Sequence, residues 1–185
     1  MESRYVKTSS DAVSFSDGKP IAMKVLSPKA LHKTKAGLVK LDLRGDKEVA
    51  AAFGVLKKKA AWLKPYDIVV QKMAHSGVEA IIGGRMDAQF GPVIMLGLGG
   101  IYVEAFKDFA LRICPITSYD AEQMIEQLRS KDMITYNGKT KRLVVDLLMK
   151  VSKFLVANDD VKELDLNPVI MHEHGYDVVD IRILK

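Results

Sequence analysis

Glu163-Leu164-Asp165-Leu166-Asn167-Pro168-Val169-Ile170, answered after a turn at Gly175 by Val178-Val179-Asp180, governs the reading of this chain. The apolar and polar residues around the turn predict two antiparallel strands that aim Asn167 and Asp180 at one point. Paired oxygen ligands of this kind suit Mg²⁺ bound to a nucleotide. That ion is hard and octahedral, takes one or two protein oxygens, and completes its shell with phosphates and water. The competing reading is an ordinary Asn-Pro turn followed by a solvated strand carboxylate.

Around this hairpin, composition sets the limits. The chain has 185 residues, 48% hydrophobic and 28% charged, enough for one sizeable core or two small lobes and too apolar for global disorder. The longest apolar runs, residues 93–98 and 143–149, are interrupted by Gly or Asp and fall short of a membrane span. The N-terminus has no apolar signal core, and the single cysteine, Cys114, has no intrachain partner for a disulfide. A cytoplasmic, reducing compartment is the expectation. The net charge of +5 is dispersed, with no basic run interleaved with aromatics. Neither nucleic acid nor a membrane is therefore expected as a partner, and the excess reads as attraction for phosphorylated small molecules and an acidic partner surface.

Thr8-Ser9-Ser10-Asp11 starts a short helix that Asp17-Gly18-Lys19-Pro20 stops. Strands are predicted over residues 21–26, 38–43 and 68–73, with a helix from Asp46 to about Trp62. These form a first lobe, residues 1–74. A second lobe, residues 75–185, holds strands at 79–83 and 93–96, helices over 118–129 and 141–156, and the closing hairpin. Residues 131–139 are expected to be a flexible loop. No internal repeat or low-complexity segment is visible.

Several residues could carry chemistry. Lys24 lies within an apolar strand, where an ammonium is costly unless an anion meets it, so it is a candidate phosphate ligand. It could equally lay its stem along the sheet with its head in water. His32, in Leu31-His32-Lys33-Thr34, falls in a polar connection with no packing role, and Lys29, Lys33 and Lys35 could help hold an incoming phosphoryl group. In Phe90-Gly91-Pro92-Val93-Ile94-Met95-Leu96-Gly97-Leu98-Gly99-Gly100-Ile101 a strand runs into a glycine-rich turn able to present N–H groups to an anion. It matches neither a P-loop nor a dinucleotide-binding fingerprint. Glu104, Lys107, Asp108 and Arg112 read either as a solvated helix face or as a lining of the same cleft. His75, His172 and His174 lack metal-ligand spacing with any cysteine and read as surface residues. Cys114 reads as a small core residue.

Taken together, Lys24-Val25-x-Ser27-Pro28, Leu31-His32-Lys33-Thr34, Val70-Gln71-Lys72-Met73, Gly77-Val78-Glu79, the Phe90 to Gly100 motif, Val103-Glu104, Pro115-x-Thr117 and Glu163-Leu164-Asp165-x-Asn167-Pro168-Val169 occur in that order. This set closely resembles the ATP-grasp domain of ADP-forming acyl-CoA (acetyl-CoA) synthetases, relatives of the succinyl-CoA synthetase β subunit. The resemblance implies an α+β ATP-grasp fold whose two lobes hold nucleotide between their sheets. It implies ATP or ADP as nucleotide and Mg²⁺ as metal. Lys24 would contact phosphates, Val70, Gln71, Lys72 and Met73 would form the hinge against adenine, and Asn167 and Asp180 would hold the metal. Glu79, Gly99 and Gly100 complete the implied nucleotide site.

His32 matches the relay histidine used on the ATP-grasp side. The implied reaction converts acyl-CoA, ADP and phosphate to acid, CoA and ATP, with a CoA-binding α subunit in an α2β2 hetero-oligomer or a fused α-like domain. Alternatives are a non-catalytic, regulatory ATP-grasp domain of a fused synthetase-like protein, or another ATP-grasp carboxylate ligase. The match begins near Tyr5, so the family's usual opening helix and strand are expected to be missing or supplied elsewhere. The chain departs from the pattern at Lys35 and Ala36, where an acid and a second glycine are usual. Met86 replaces a basic residue, and Asn137-Gly138 an Arg-Gly.

Overall fold

A computed structural model describes residues 1–29, 36–100 and 108–185. They fall into two compact units, Met1–Met73 and Ala74–Lys185. In the first, β1 (Ser3–Val6), β2 (Ile21–Leu26), β3 (Val39–Leu43) and β4 (Asp67–Lys72) form an antiparallel sheet in the order β1-β4-β2-β3. Helices α1 (Ser9–Ser16) and α2 (Gly45–Ala60) cover one face, and a 3-10 turn, Ala61–Leu63, follows α2. The strand β1 has no counterpart in the sequence reading. It is a short edge strand with three of its four residues exposed, so no hydrophobic alternation announces it.

Local chemistry explains the helices. Thr8 Oγ1 accepts from Asp11 N–H at 3.1 Å while Asp11 Oδ2 accepts from Thr8 N–H at 3.0 Å, a reciprocal cap that satisfies two orphan donors of α1. Asp17 and Gly18 then turn left-handed, with φ of 47° and 70°, and end the helix. In α2, Val49, Ala52, Phe53, Leu56 and Ala60 make one buried stripe at helical spacing. That stripe packs with Ile21, Met23 and Val25 of β2 and Ile68 and Val70 of β4. Lys72 joins sheet to helix. Its Nζ donates to the carbonyls of Phe15 (2.7 Å) and Ser16 (3.1 Å) and lies 4.7 Å over the Phe15 ring. A cation on the last carbonyls of α1 opposes the negative end of the helix dipole.

The second unit contains β5 (Val78–Asp87), β6 (Gly91–Leu98), β7 (Phe109–Ile113), β8 (Glu163–His172), β9 (Gly175–Val178) and β10 (Ile181–Leu184). Their order is β10-β8-β5-β6-β7, with β9 also paired to β8 and every pairing antiparallel. Helices α3 (Ser118–Gln127) and α5 (Lys141–Ala157), with the short α4 (Lys131–Ile134), pack on one face. The core there joins Ala80, Ile82, Ile94, Leu96, Leu164 and Leu166 to Met124, Leu148 and Val151. Cys114 is buried in this core, and burial pushes its thiol up. Among the described residues no helix is long and apolar enough to cross a membrane.

Two expectations are corrected. Residues 131–139 are not a plain loop: α4 opens the segment, Ile134 is fully buried, and Tyr136 and Asn137 turn left-handed. Glu126 anchors both ends, accepting from Lys131 Nζ at 2.7 Å and Lys141 Nζ at 2.8 Å. One buried isoleucine is too sparse a pattern to show helical periodicity. Asp108 and Arg112 do not form a helix face, although Asp108 O accepts from Leu98 N–H at 3.2 Å beside the glycine-rich turn. Phe109–Ile113 is a strand, and Asp108 accepts from the N–H groups of Arg129 and Ser130, each at 2.9 Å, just before α4. Glu104 and Lys107 lie outside the described residues.

Lys72→Met should destabilise the protein by about 1–3 kcal/mol through loss of the charge-assisted bonds to α1, measured by urea unfolding. Hydrogen bonds from Lys131 and Lys141, with their charge, hold the Glu126 carboxyl down to about 2. A carboxyl lowered on folding contributes stability above its ordinary range, and that contribution is lost as pH falls from about 4.5 towards 2. Glu126→Gln should therefore flatten the acid limb of the stability curve between those pH values and leave the curve's shape near neutrality unchanged.

Candidate functional site

Alternation along β2 and β4 divides their side chains between two faces. Met23, Val25, Ile68 and Val70 enter the core with the helices. Ala22, Lys24, Val69 and Gln71 take the opposite, helix-free face, with Ala22 opposite Gln71 and Lys24 opposite Val69. Val69 and Gln71 are buried and Lys24 is half-buried. Lys24 is thus a cation set among low-polarity neighbours on the face that the helices leave uncovered.

The stretch Val70, Gln71, Lys72 and Met73 divides into parts with different duties. β4 is an interior strand, so the backbones of Val70 and Gln71 pair with β1 on one side and β2 on the other. Strand pairing thus engages the backbone groups of both residues. Lys72 donates its N–H to Glu2 O at 3.1 Å and its ammonium to α1. The chain leaves the sheet at Met73, whose N–H makes a long, 3.4 Å bond to Pro20 O and whose Sδ accepts from Asp42 N–H at 3.4 Å.

In the second unit Leu164, Leu166, Val169 and Met171 of β8 face the helices, and Asp165 and Asn167 take the other face. Against β5 the register shifts between Ala80, opposite Val169, and Ile82, opposite Leu166. Asn167 and Pro168 therefore occupy a bulge opposite Ile81. Proline has no N–H to give to the sheet, so the extra residue falls where the pairing is already weakened. Backbone bonds from Asn167 N–H to Asp180 O and from Val179 N–H to Pro168 O, both 3.1 Å, carry the pairing beyond β9. They set the exposed Asn167 beside the half-buried Asp180.

Asp165 belongs to the same neighbourhood. Burial pushes its carboxyl up, the charges of Glu163 and Asp180 add to the rise, and Arg182 and a hydrogen bond with Asn167 oppose it. Arg182 stands directly opposite Asp165 on β10. The sequence reading quoted Asp165 within its motif without giving it a role, although the i, i+2 spacing to Asn167 on a strand already places both on one face. The resulting donor set is a carboxamide and two carboxylates, one of them raised chiefly by burial and further by its acidic neighbours. A hard divalent cation fits that set, since it takes oxygen ligands and relieves the repulsion.

Glycines close the same sheet. Gly99 N–H donates to Glu79 O at 2.7 Å, and a Cβ at Gly100, where φ is 69°, would meet Glu79 Oε2 at 2.7 Å. The expectation that this turn presents N–H groups to an anion is corrected at Gly99, whose donor is already used. There the glycine is required because its backbone lies on that of Glu79. Glu79 itself is exposed on β5. His32 lies outside the described residues. His75 and His174 are exposed as expected, but His172 is buried, 8% accessible, and forms a cluster with His75 and Asp177. Spacing to cysteine carried no sign of it, because two paired strands and a segment about a hundred residues earlier build it.

The ATP-grasp domain family matches residues 1–184. The β subunit of ADP-forming acetate–CoA ligase I from Pyrococcus furiosus is 34% identical, the alignment covering 99% of this chain and 83% of that one. Acetate–CoA ligase I (ADP-forming) of Archaeoglobus fulgidus is 38% identical over 90% of this chain but only 25% of its own length. A solved structure of acetyl-coenzyme A synthetase 1 from Ca. Korarchaeum cryptofilum superposes with a TM-score of 0.82 at 36% identity, over 99% of this chain and 83% of that one. That protein was captured with coenzyme A and Mg-AMPPCP, its phosphohistidine segment pointing towards the nucleotide-binding site.

A carboxyl raised on folding holds its proton more tightly in the folded chain. Stability therefore falls as pH rises from the ordinary carboxylate value of 3.8 through the folded value, and stays lower above it. Asp165→Asn should remove that fall. In EDTA its thermal midpoint at pH 7 should exceed that of the unaltered protein, as measured by calorimetry.

Proposed function

Because this chain belongs to the ATP-grasp family, with the ATP-grasp fold of the β subunits of ADP-forming acyl-CoA synthetases, we propose that it is the nucleotide-binding part of such an enzyme. The reaction is acyl-CoA + ADP + phosphate ⇌ carboxylic acid + CoA + ATP. Phosphate cleaves the thioester on a CoA-binding partner, a histidine there takes the phosphoryl group, and this chain receives it and passes it to ADP. The partner is a separate α subunit in an α2β2 assembly or a fused domain. Both arrangements have a parallel among the relatives, one named as a β subunit and one in which the matching part is a quarter of the chain. The lone cysteine, buried as a thiol, suits a cytoplasmic setting.

The observation that carries this reading is the cluster of Asp165, Asn167 and Asp180, held together on the helix-free face by the backbone bond from Asn167 to Asp180. Asn167 and Asp180 would hold Mg²⁺, and Asp165 behind them adds negative charge. Bound there, the ion neutralises charge on the phosphate oxygens of the nucleotide. Lys24 binds phosphate oxygens from the first unit's helix-free face. Met73 and the exposed Glu79 orient the nucleoside. His32 accepts the phosphoryl group at a ring nitrogen and releases it to the terminal oxygen of ADP. Placement in line and exclusion of water keep the phosphohistidine from hydrolysis.

Asn167→Ala combined with Asp180→Ala should weaken Mg-ADP binding at least about tenfold in calorimetry, because the metal loses its protein oxygens. Unchanged affinity would remove the pair from the site. His32→Ala should lower ATP formation, assayed with the CoA-binding partner, by roughly a hundredfold or more while Mg-ADP affinity stays within about twofold. Full activity in that variant excludes the relay. If nucleotide binds normally and the unaltered chain with its partner forms no ATP, the domain is a regulatory one.

A further inference from the structure

His75, His172 and Asp177, none of which the nucleotide reading uses, come together in the second unit. Hairpin register places two of them. Ile170 stands opposite Asp177 and His172 opposite Gly175, so His172 and Asp177 are diagonal neighbours on one face. Gly175 carries no side chain where it would crowd them; a Cβ there would touch His172 Cε1 at 3.5 Å. The third comes from residues 74–77, which lie directly on β8. A Cβ at Gly77 would collide with the carbonyl oxygen of Met171, and only glycine allows the approach that delivers His75.

The polar atoms of this cluster are incompletely matched. Asp177 Oδ2 accepts from His75 N–H at 3.0 Å and lies 2.8 Å from His75 Nδ1. His172 Nε2 lies 3.8 Å from the same oxygen, too long for a hydrogen bond, and its buried Nδ1 has no partner among the described residues. The two imidazoles are stacked at 4.5 Å between centroids, tilted by 31°. A buried imidazole without hydrogen bonds is costly by itself. One ligand atom from each residue lies within 4.8 Å of the others. Ligands at about 2.1 Å from a tetrahedral ion stand roughly 3.4 Å apart, so modest side-chain rotation closes the set. The His75 side chain is 70% exposed and can make that rotation.

We propose that His75, His172 and Asp177 bind a borderline divalent transition-metal ion of the zinc class, with water in the remaining position. Two imidazoles and one carboxylate are nitrogen-rich ligands that favour Zn²⁺, Co²⁺ or Ni²⁺ over Mg²⁺. The site is thus chemically distinct from the oxygen set at Asn167 and Asp180, and it stands whether or not the nucleotide reading does. Its ion would staple residues 74–77 to the β8–β9 hairpin, whose outgoing strand leads to Asp180 three residues after Asp177.

The test uses the full chain without a histidine tag, stripped with EDTA and free of nucleotide, titrated with Zn²⁺ in a calorimeter and with Co²⁺ in a spectrophotometer. About one Zn²⁺ per chain should bind, the visible spectrum of Co²⁺ should report nitrogen and oxygen ligation, and Mg²⁺ should not compete. His75→Ala, a change at an exposed side chain, and Asp177→Asn should each weaken Zn²⁺ at least about tenfold, and His174→Ala, on the hairpin turn, should not. Absence of stoichiometric Zn²⁺ binding, full affinity in either of the first two variants, or loss of binding in the third would overturn the proposal and leave an ordinary His75–Asp177 ion pair.

Discussion

The backbone bond between Asn167 N–H and Asp180 O is the constraint on which the candidate site depends. It lies just past the last regular pair of β8 and β9, where Pro168 cannot donate to the sheet and a bulge takes up the extra residue. The bond from Val179 N–H to Pro168 O and the pairing of Ile181 with Leu166 flank it on either side. With it, a carboxylate and a carboxamide from positions thirteen residues apart in sequence stand side by side. Asp165 then meets the charge of Asp180 because the same strand alternation puts Asp165 and Asn167 on one face.

That arrangement is unfavourable for the empty fold. Burial and two neighbouring carboxylates raise Asp165, and Arg182 across the β10 pairing offsets this only in part. A chain selected for stability alone would place an apolar residue or a second cation there. Concentrated negative charge on a sheet face with no helix over it has a use when a cation is brought to it. The first unit shows the converse economy. Lys72, which could have served as a phosphate ligand by charge alone, is committed to the end of α1, while Lys24 on the other face of the sheet is not part of that packing.

Two glycines in this protein serve close approach rather than turning. Gly77 lets a segment lie on β8, and Gly99 lies on the backbone of Glu79. Neither requirement is visible from the residue alone, since a glycine beside other glycines reads equally as an anion-binding turn. At Gly99 the alternative was decided by one distance, the 2.7 Å bond that uses its N–H.

The sequence by itself determined most of the fold and the pairing of Asn167 with Asp180. Periodicity placed β2, β3, β4, α2, α3 and α5, the capping cluster at Thr8 marked a helix start, and Asn167 with Asp180 could be paired through a hairpin because short-range signals act within a few residues. It did not show β1, whose exposed edge lacks a pattern, or α4, which one buried isoleucine anchors. Only the tertiary structure decided which backbone groups of Val70 and Gln71 were already used, that Asp165 joins Asn167 and Asp180, and that His75 meets His172 and Asp177. Each of these depends on strand neighbours or on segments far apart in the chain, and no local sequence pattern specifies which distant partner completes a hydrogen bond or a ligand set.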